Sequence, residues 1–300
     1  MTPLRLGTRG SRLAHAQAAL AAEALREAGL GPVAIMPIST AGDRDRRSAF
    51  SELGGRGVFS KELEDALAEG RIDVAVHSAK DLTTDETPGL TLAAVLPRGD
   101  ARDAWCGPHG NLAAVPQGAR VGTASMRRGA QLRALRPDLI VESLRGNVDT
   151  RLRKRVERGL DGVVLAACGL DRLGLADEIG FRIGVDDMLP ETGQGFLALQ
   201  VRSADAAAIA AVGEAEGARV LLAERTCAAL LGGGCLAPVA THAITVPDGR
   251  LWLRAWLALP DGSRVAHAGG RGDDPEALAR EVAEAALGRG GEAIVAAVRG

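Results

Sequence analysis

Aromatic residues are scarce in this chain of 300 residues, which has four Phe, three Trp and no Tyr. Proteins that bind single-stranded nucleic acid stack bases on aromatic rings, so this composition disfavours that class. Acidic and basic residues nearly cancel, 38 against 36, and give a formal net charge of −2. A globally basic nucleic-acid-binding surface is therefore not expected either.

Long uncharged hydrophobic runs are also missing. The longest stretch without formal charge, Thr226–Pro247, contains three consecutive glycines and a proline, which predicts a loop between two short elements and not a membrane helix. The first residues include Arg5 and Arg9 and no apolar segment, so we expect no signal peptide, a cytoplasmic location and no membrane partner.

Cysteines are few and lack a metal-binding or disulfide pattern. The four residues, Cys106, Cys168, Cys227 and Cys235, form no CxxC pair and have no histidine cluster nearby, so no metal site is expected. Cys235 directly follows three glycines, on a backbone that permits close approach, and is a candidate for covalent attachment. The other three are predicted to be buried structural residues.

Short apolar runs alternate with helical patterns, which predicts α/β sheets with parallel strands. The pattern restarts after Pro97–Asp100, and its texture changes near Gly213, where an alanine-rich helix leads to the triple glycine. We therefore predict three domains: residues 1–96 with 191–212 (α/β), residues 97–190 (α/β) and residues 213–300 (a small α+β domain).

Four predicted strands run directly into small, hydroxyl-bearing or basic residues. The segments are Gly7–Ser11, His77–Asp81, Gly122–Arg128 and Leu144–Arg151. Ligands bind beyond the carboxyl ends of strands in open α/β sheets, where helix N-termini present unpaired N–H groups. Arginine, which makes up 33 of the 36 basic residues, matches carboxylates bidentately. Any one of these arginines alone could be an ordinary surface residue, but together the segments predict a site for several carboxylates.

Asp81 has the wrong charge for a site that binds only anions. A carboxylate there is useful if the substrate carries or develops positive charge, which it would stabilise while exchanging protons. A simple Lys80–Asp81 pair in a turn is the alternative. His77, at the end of a mostly apolar strand, is either catalytic or holds a loop by hydrogen bonding. The polar, glycine-rich stretch Ala41–Arg56 predicts a mobile loop.

Seven motifs occur in an order that closely resembles the porphobilinogen deaminase (hydroxymethylbilane synthase) family over nearly the whole chain. They are Gly7–Ser11, Gly54–Phe59, His77–Asp81, Val121–Arg128, Leu144–Arg151, Gly193–Gly195 and Gly232–Cys235. The resemblance implies an enzyme that joins four porphobilinogen molecules head to tail. Such an enzyme releases ammonia and, by hydrolysis, linear hydroxymethylbilane for tetrapyrrole and haem biosynthesis.

The resemblance also implies a fold and a set of site residues. It implies a monomer with two domains like periplasmic binding proteins, an active site in the cleft between them, and a third domain that carries a dipyrromethane cofactor on a cysteine thioether. Cys235 falls on the attachment position and Asp81 on the catalytic one. The remaining matches are Lys80, Thr123, Ser125, Arg127, Arg128 and Arg145 for the cofactor, and Arg9, Ser11, Arg151 and Arg172 for the substrate.

Two other classes of function stay open on the residues alone. A non-enzymatic two-domain carboxylate-binding protein would have the same α/β units, but it would need neither Asp81 nor Cys235. An RNA-binding protein using residues 145–158 is the other alternative, although this segment is more simply a solvated helix after a binding turn.

Overall fold

The computed structural model describes residues 2–39, 60–83, 87–232 and 237–299. The chain divides into two units: Met1–Gly99 with Gly195–Arg219, and Asp100–Gln194 with Val220–Gly300. The predicted loop Ala41–Arg56 and the candidate attachment residue Cys235 lie outside the described residues. The boundaries of the three predicted domains stay a prediction.

Strands and helices alternate along both units. In chain order the strands are β1 Leu4–Arg9, β2 Val33–Ile38, β3 Val74–Ser78, β4 Leu90–Val95, β5 Asp103–Cys106, β6 Arg120–Gly122, β7 Ile140–Glu142, β8 Gly162–Ala166, β9 Phe181–Arg182, β10 Leu197–Arg202, β11 Val239–Thr245, β12 Leu251–Ala258 and β13 Val265–Gly272. The α-helices are α1 Arg12–Glu27, α2 Lys61–Ala68, α3 Met126–Leu135, α4 Val148–Glu157, α5 Ala167–Arg172, α6 Ala206–Ile209, α7 Ala215–Leu230, α8 Pro275–Ala286 and α9 Glu292–Arg299.

The first unit is built on a five-stranded sheet in the order β2-β1-β3-β10-β4. Strand β1 is parallel to β2 and β3, whereas β10 is antiparallel to β3 and β4. The prediction of parallel strands is wrong for β5 of the second unit, which is antiparallel to β8 and β9, and in the first unit it is wrong for β10. This strand follows the return of the chain at Gly195, and a strand that is not joined to its neighbour by a βαβ crossover need not run parallel to it.

The second unit contains a mixed sheet in the order β7-β6-β8-β5-β9 and a separate antiparallel sheet in the order β11-β12-β13. In the mixed sheet β6 is parallel to β7 and β8, and β5 is antiparallel to β8 and β9. Alternate residues of β12, from Leu251 to Leu257, are buried. The predicted fold class, α/β with a small additional α+β part, is thus confirmed.

Strand β3 spans Val74–Ser78, so His77 and Ser78 both lie inside the strand. The prediction that Cys106, Cys168 and Cys227 are buried is confirmed. Burial raises the pKa of the Cys106 and Cys227 thiols to about 12, which leaves both as unreactive thiols at neutral pH.

No helix in the described ranges is both long enough and apolar enough to cross a membrane.

Gly162 of β8 packs so closely against the Trp105 ring of the neighbouring strand β5 that an added methyl group should lower the stability of the second unit. A Cβ atom on Gly162 would overlap the ring of Trp105, which is fully buried. We expect Gly162→Ala to lower the free energy of unfolding by about 1–3 kcal/mol, the usual cost of overpacking. Gly110→Ala is the matched control, because a Cβ atom there meets nothing within 4 Å. Denaturant unfolding of both variants measures the difference, and equal midpoints would contradict this packing.

Candidate active site

Three predicted site residues of the first unit lie at one edge of its sheet. Because β1 and β3 are parallel neighbours, their carboxyl ends meet at the same edge. Arg9 is the last residue of β1, and Ser11 caps α1 just beyond it. Asp81 ends the single 3-10 turn Ala79–Asp81 that follows β3. The turn is held by the Ala79 N–H, which donates to the Phe196 carbonyl at 3.1 Å.

A cavity of about 60 Å³ joins these residues. Its wall includes Arg9, Ser11 and Asp81, so the structure brings together a cation, a hydroxyl and a carboxylate. The Ser11 Oγ accepts the Ala14 N–H at 3.1 Å and so caps α1. Lys80 lies on the same turn as Asp81, is half-buried and is not part of the cavity wall.

Gln17 is a member of this cavity that the sequence analysis missed. It lies on the buried stripe of α1, between Ala14 and Ala18. Its Nε2 donates to the Ser78 Oγ at 2.7 Å, and Ser78 also lines the cavity. A signal was present, because a glutamine in an otherwise apolar helical stripe marks a polar function at that depth.

His77 lines the same cavity and is buried. Its Nε2 lies 3.0 Å from the Oε1 of Gln200. Burial lowers the pKa of His77 to about 4, although the nearby Glu64 and the hydrogen bond to Gln200 act in the opposite direction. The imidazole is therefore neutral at pH 7. The structure supports hydrogen bonding for His77, and its position on the cavity wall leaves the catalytic alternative standing.

The second unit repeats this arrangement on a larger scale. Strands β6, β7 and β8 are parallel to one another, and each runs into a segment that carries predicted site residues. These residues are Thr123, Ser125, Arg127 and Arg128 after β6, Arg145 and Arg151 after β7, and Arg172 after β8. The Ser125 Oγ caps α3 by accepting the Arg128 N–H at 3.4 Å, and the Ser125 N–H donates to the Thr123 hydroxyl at 3.2 Å.

Arg127 and Arg128 converge on one buried carboxylate, Asp103 of β5. The two arginines are 3% and 4% exposed, and Asp103 is fully buried. Arg127 Nη2 donates to Asp103 Oδ2 at 2.8 Å, and Arg128 Nε donates to Oδ1 at 3.0 Å. Burial alone would raise the pKa of Asp103, but the two guanidinium groups and a hydrogen bond from Gln194 lower it to about 2.

The sequence analysis assigned no role to Asp103 or Gln194, which hold the side chains of Arg127 and Arg128 in place. Gln194 Nε2 donates to Asp103 Oδ1 at 2.9 Å and to the Ala101 carbonyl at 2.7 Å, while its Oε1 accepts Arg128 Nη2 at 3.3 Å. The glycines on either side of Gln194 were visible as a motif. An aspartate at the start of an apolar strand gives no comparable signal, because its partners lie 24 and 25 residues away.

The segment after β7 is organised by its own carbonyl groups. Arg151 Nε donates to the Gly146 carbonyl at 2.7 Å, and Lys154 Nζ donates to the Arg145 carbonyl at 3.1 Å. Gly146 has a φ of +128°, which a residue with a side chain rarely adopts. Arg145, Arg151 and Arg172 are all half-buried, and burial lowers the pKa of Arg172.

Within the described ranges, no group of three or more His, Cys, Asp or Glu side chains is placed to hold a metal ion.

Helix caps, arginines and a lone carboxylate at the ends of parallel strands are typical of an α/β protein that binds anionic ligands. Comparison with known proteins identifies the family of α/β proteins to which this chain belongs. The chain belongs to the porphobilinogen deaminase family: residues 4–210 match the model described as the dipyrromethane cofactor binding domain of porphobilinogen deaminase, and residues 218–288 match that of its C-terminal domain.

Curated relatives agree over nearly the full length. A porphobilinogen deaminase from Syntrophotalea carbinolica is 44% identical, over 98% of this chain and 96% of the relative. One from Deinococcus deserti is 43% identical over 100% of both chains. These matches confirm the resemblance, the enzyme class in tetrapyrrole biosynthesis and dipyrromethane as the cofactor of the family. They do not favour a non-enzymatic carboxylate-binding protein.

Among solved structures, the chain is similar to a periplasmic substrate-binding protein of an ABC transporter from Coxiella burnetii. The identity is 14% and the TM-score 0.42, over 68% of this chain and 86% of that one. The family assignment rests on the family models and the curated relatives.

The Asp103 cluster predicts an acid-dependent loss of stability. Its folded pKa of about 2 lies below the value of about 3.9 in an unfolded chain. The pairing therefore stabilises the fold above about pH 4, and this contribution, about 2–3 kcal/mol, is lost progressively as the pH falls from about 4 through about 2. Asp103→Asn removes the carboxylate that both buried guanidinium groups contact and leaves Arg127 with the more distant Glu191 carboxylate at 3.6 Å, so we expect it to cost about 3–5 kcal/mol at pH 7.

Unfolding midpoints measured from pH 7 to pH 2 for the wild type and Asp103→Asn check this expectation. Asp248→Asn is the control, because Asp248 pairs with Arg250 at an exposed site. Equal stability of Asp103→Asn and the wild type at pH 7 would refute the role of the cluster.

Proposed function

We propose that this chain polymerises four porphobilinogen molecules head to tail on a covalently bound dipyrromethane primer and releases hydroxymethylbilane by hydrolysis. The cavity that joins Asp81, Arg9 and Ser11 is the observation that carries the proposal. Porphobilinogen combines two carboxylates with one ammonium group, so it requires a cation and an anion in the same site. Arg9 supplies the cation, Ser11 a hydroxyl donor and Asp81 the anion.

Asp81 is proposed to be the catalytic residue. When ammonia leaves porphobilinogen, the electrons of the C–N bond go to nitrogen and a positive charge remains on the methylene-pyrrole. The Asp81 carboxylate stabilises this charge, and one of its oxygens takes up the proton that leaves the new ring junction. Asp81 lies at the end of a short turn directly after a strand, and it lines the same cavity as Arg9 and Ser11.

The residues of the second unit fit a cofactor that carries several carboxylates. The Nε of Arg127 is buried and makes no hydrogen bond to the described residues, although the Glu191 carboxylate lies 3.6 Å away. A buried guanidinium N–H of this kind suits an acceptor oxygen from a ligand. When bound, dipyrromethane supplies the carbon to which the first substrate unit is joined.

The cofactor is proposed to be attached through Cys235. Its carboxylates are proposed to be held by side chains beyond the strand ends, namely Lys80, Thr123, Ser125, Arg127, Arg128 and Arg145. Arg151 and Arg172 are proposed, with Arg9 and Ser11, to bind carboxylates of the substrate and the growing chain. Three of these arginines, Arg145, Arg151 and Arg172, are half-buried, which shields their charges from solvent and strengthens their interaction with anions.

The finer properties of the protein rest on the resemblance. We propose that it acts in the cytoplasm as a monomer, with a small-molecule substrate and with no nucleic-acid or membrane partner. The three-domain boundaries given above are part of the same proposal.

Substitution of Asp81 tests the catalytic role. Asp81→Asn keeps the size of the side chain but removes its charge, so we expect it to form the covalent adduct or stalled intermediates and lose nearly all turnover. Asp81→Glu moves the carboxylate by about 1 Å, which can cost on the order of a hundredfold in rate. The measurements are hydroxymethylbilane formation and intact mass.

Asp149→Asn is the matched control for Asp81→Asn. Asp149 lies in the first turn of α4, where a carboxylate stabilises the helix N-terminus. If Asp149→Asn is inactive while Asp81→Asn turns over within a few-fold of the wild type, the catalytic role belongs to Asp149.

Intact mass spectrometry of cysteine variants tests the attachment site. We expect the wild type to carry an adduct of two pyrrole units and Cys235→Ser to lack it, because an alcohol is a poorer nucleophile than a thiolate. Cys106→Ser, Cys168→Ser and Cys227→Ser should each keep the adduct, since these residues are buried. An adduct on any of those three would overturn the assignment.

A further inference from the structure

His77 is the end of a chain of hydrogen-bonded polar groups that begins outside the cavity, in which Thr87 and Glu64 are half-buried and Gln200 and His77 are buried. The Thr87 hydroxyl donates to Glu64 Oε2 at 2.9 Å, and Gln200 Nε2 donates to Glu64 Oε1 at 3.3 Å. The Gln200 Oε1 then lies 3.0 Å from His77 Nε2. These groups come from α2, β3, β10 and the segment before β4, so the chain is fixed by the packing of the whole sheet.

The carboxylate of Glu64 decides which nitrogen of His77 carries the proton. A carboxylate accepts hydrogen bonds, so it turns the amide nitrogen of Gln200 toward itself and the amide oxygen toward His77. That oxygen can only accept, so His77 Nε2 must donate. In a neutral imidazole the other nitrogen, Nδ1, then has a free lone pair and is a hydrogen-bond acceptor.

We propose that His77 is a second substrate-contacting group of the Asp81 cavity, a neutral imidazole whose Nδ1 accepts a hydrogen bond from the ammonium group of the substrate's aminomethyl side chain. This inference rests on the proposed function and extends it to the recognition of the leaving group. Its basis is the shared cavity of His77 and Asp81, together with the tautomer that Gln200 and Glu64 impose.

The charges around His77 keep the imidazole from taking a proton. Glu64 on α2 and Asp81 on the turn after β3 favour the charged form, whereas burial and Arg9 at the end of β1 oppose it. Burial prevails, and the pKa of His77 lies at about 4. A protonated His77 would repel an ammonium group and compete with it for Asp81, so neutrality is what this position requires.

A neutral acceptor suits a group that must leave as ammonia. The ammonium ion donates strongly while it is bound to carbon. Once the C–N electrons have gone to nitrogen, the product is neutral ammonia, which is a weaker donor and is held less tightly. A second carboxylate in place of His77 would bind the ammonium ion more strongly before the reaction and would repel Asp81. His77 thus orients the leaving group without adding charge to the cavity.

Two substitutions of His77 separate substrate binding from a merely structural role. In His77→Gln the side-chain amide reaches the position of Nε2, so the contact with Gln200 is kept and the acceptor at Nδ1 is lost. In His77→Asn the amide oxygen reaches only the position of Nδ1, so the acceptor is kept and the contact with Gln200 is lost. A structural role predicts that His77→Asn is the more damaged variant in stability and in activity.

The proposal predicts the opposite order for substrate binding. We expect His77→Gln to raise KM for porphobilinogen about 10- to 100-fold, the usual effect of losing a hydrogen bond to a charged group, with a smaller change in kcat. His77→Asn should stay within a few-fold of the wild-type KM, even though it is the less stable variant. The control is His267→Asn in the second unit, on an exposed position of β13, which should change neither constant.

Nitrogen-15 NMR of the histidine-labelled holoenzyme gives a readout that does not depend on turnover. We expect the Nε2–H tautomer of His77 at pH 7 and its retention well below pH 6. Gln200→Glu places a carboxylate opposite Nε2 and should raise the pKa of His77, so that KM begins to rise at a higher pH than in the wild type.

An Nδ1–H tautomer, or a KM of His77→Gln equal to that of the wild type, would overturn the inference. Absence of turnover in the wild type would instead contradict the proposed function and leave the tautomer to be decided by NMR.

Discussion

The pairing of Asp103 with two buried arginines is the interaction on which the second unit depends. A fully buried carboxylate is stable in a protein interior only when opposite charges and hydrogen bonds replace its water. Here Arg127, Arg128 and Gln194 do so. The same bonds fix the first turn of α3 and the chain around Gln194 to the start of β5. Ser125 and Thr123 at the head of α3 are therefore held by the charge cluster beneath them.

How much of this was visible in the sequence depends on how far apart the interacting residues are. The strand ends that run into Ser11 and Ser125 were predicted, because a strand and the turn that follows it lie within a few residues of each other. The role of Asp103 was not predicted, since its arginines follow β6 and reach it only because β8 pairs with both β6 and β5. The antiparallel direction of β10 was missed for the same reason: periodicity shows which face of a strand is buried, not which way the strand runs.

The two strand-end sites use the same local chemistry in different electrostatic settings. In the second unit arginines outnumber carboxylates beyond the parallel strands, which suits ligands with several negative charges. In the first unit the cavity holds one arginine and one aspartate with a neutral histidine and serine hydroxyls, so its formal charge is close to zero. A substrate that carries both signs of charge fits the cavity of the first unit, whereas a pure polycarboxylate would be repelled there by Asp81.

The near-zero formal charge of this cavity explains why the hydrogen bonds that link His77 to Gln200 and Glu64 matter to the chemistry of Asp81. Histidine beside a carboxylate ordinarily gains a proton, and the resulting ion pair would use the charge that Asp81 needs for the substrate. Burial of His77 prevents this, although the charge of Glu64 and the hydrogen bond to Gln200 both act toward protonation. Gln200 is a neutral partner and lies between the Glu64 carboxylate and the imidazole, so Glu64 acts on the ring only from a distance. Among the residues that line the cavity, the negative charge thus stays on Asp81, because Gln200 and two hydrogen bonds separate the Glu64 carboxylate from the imidazole.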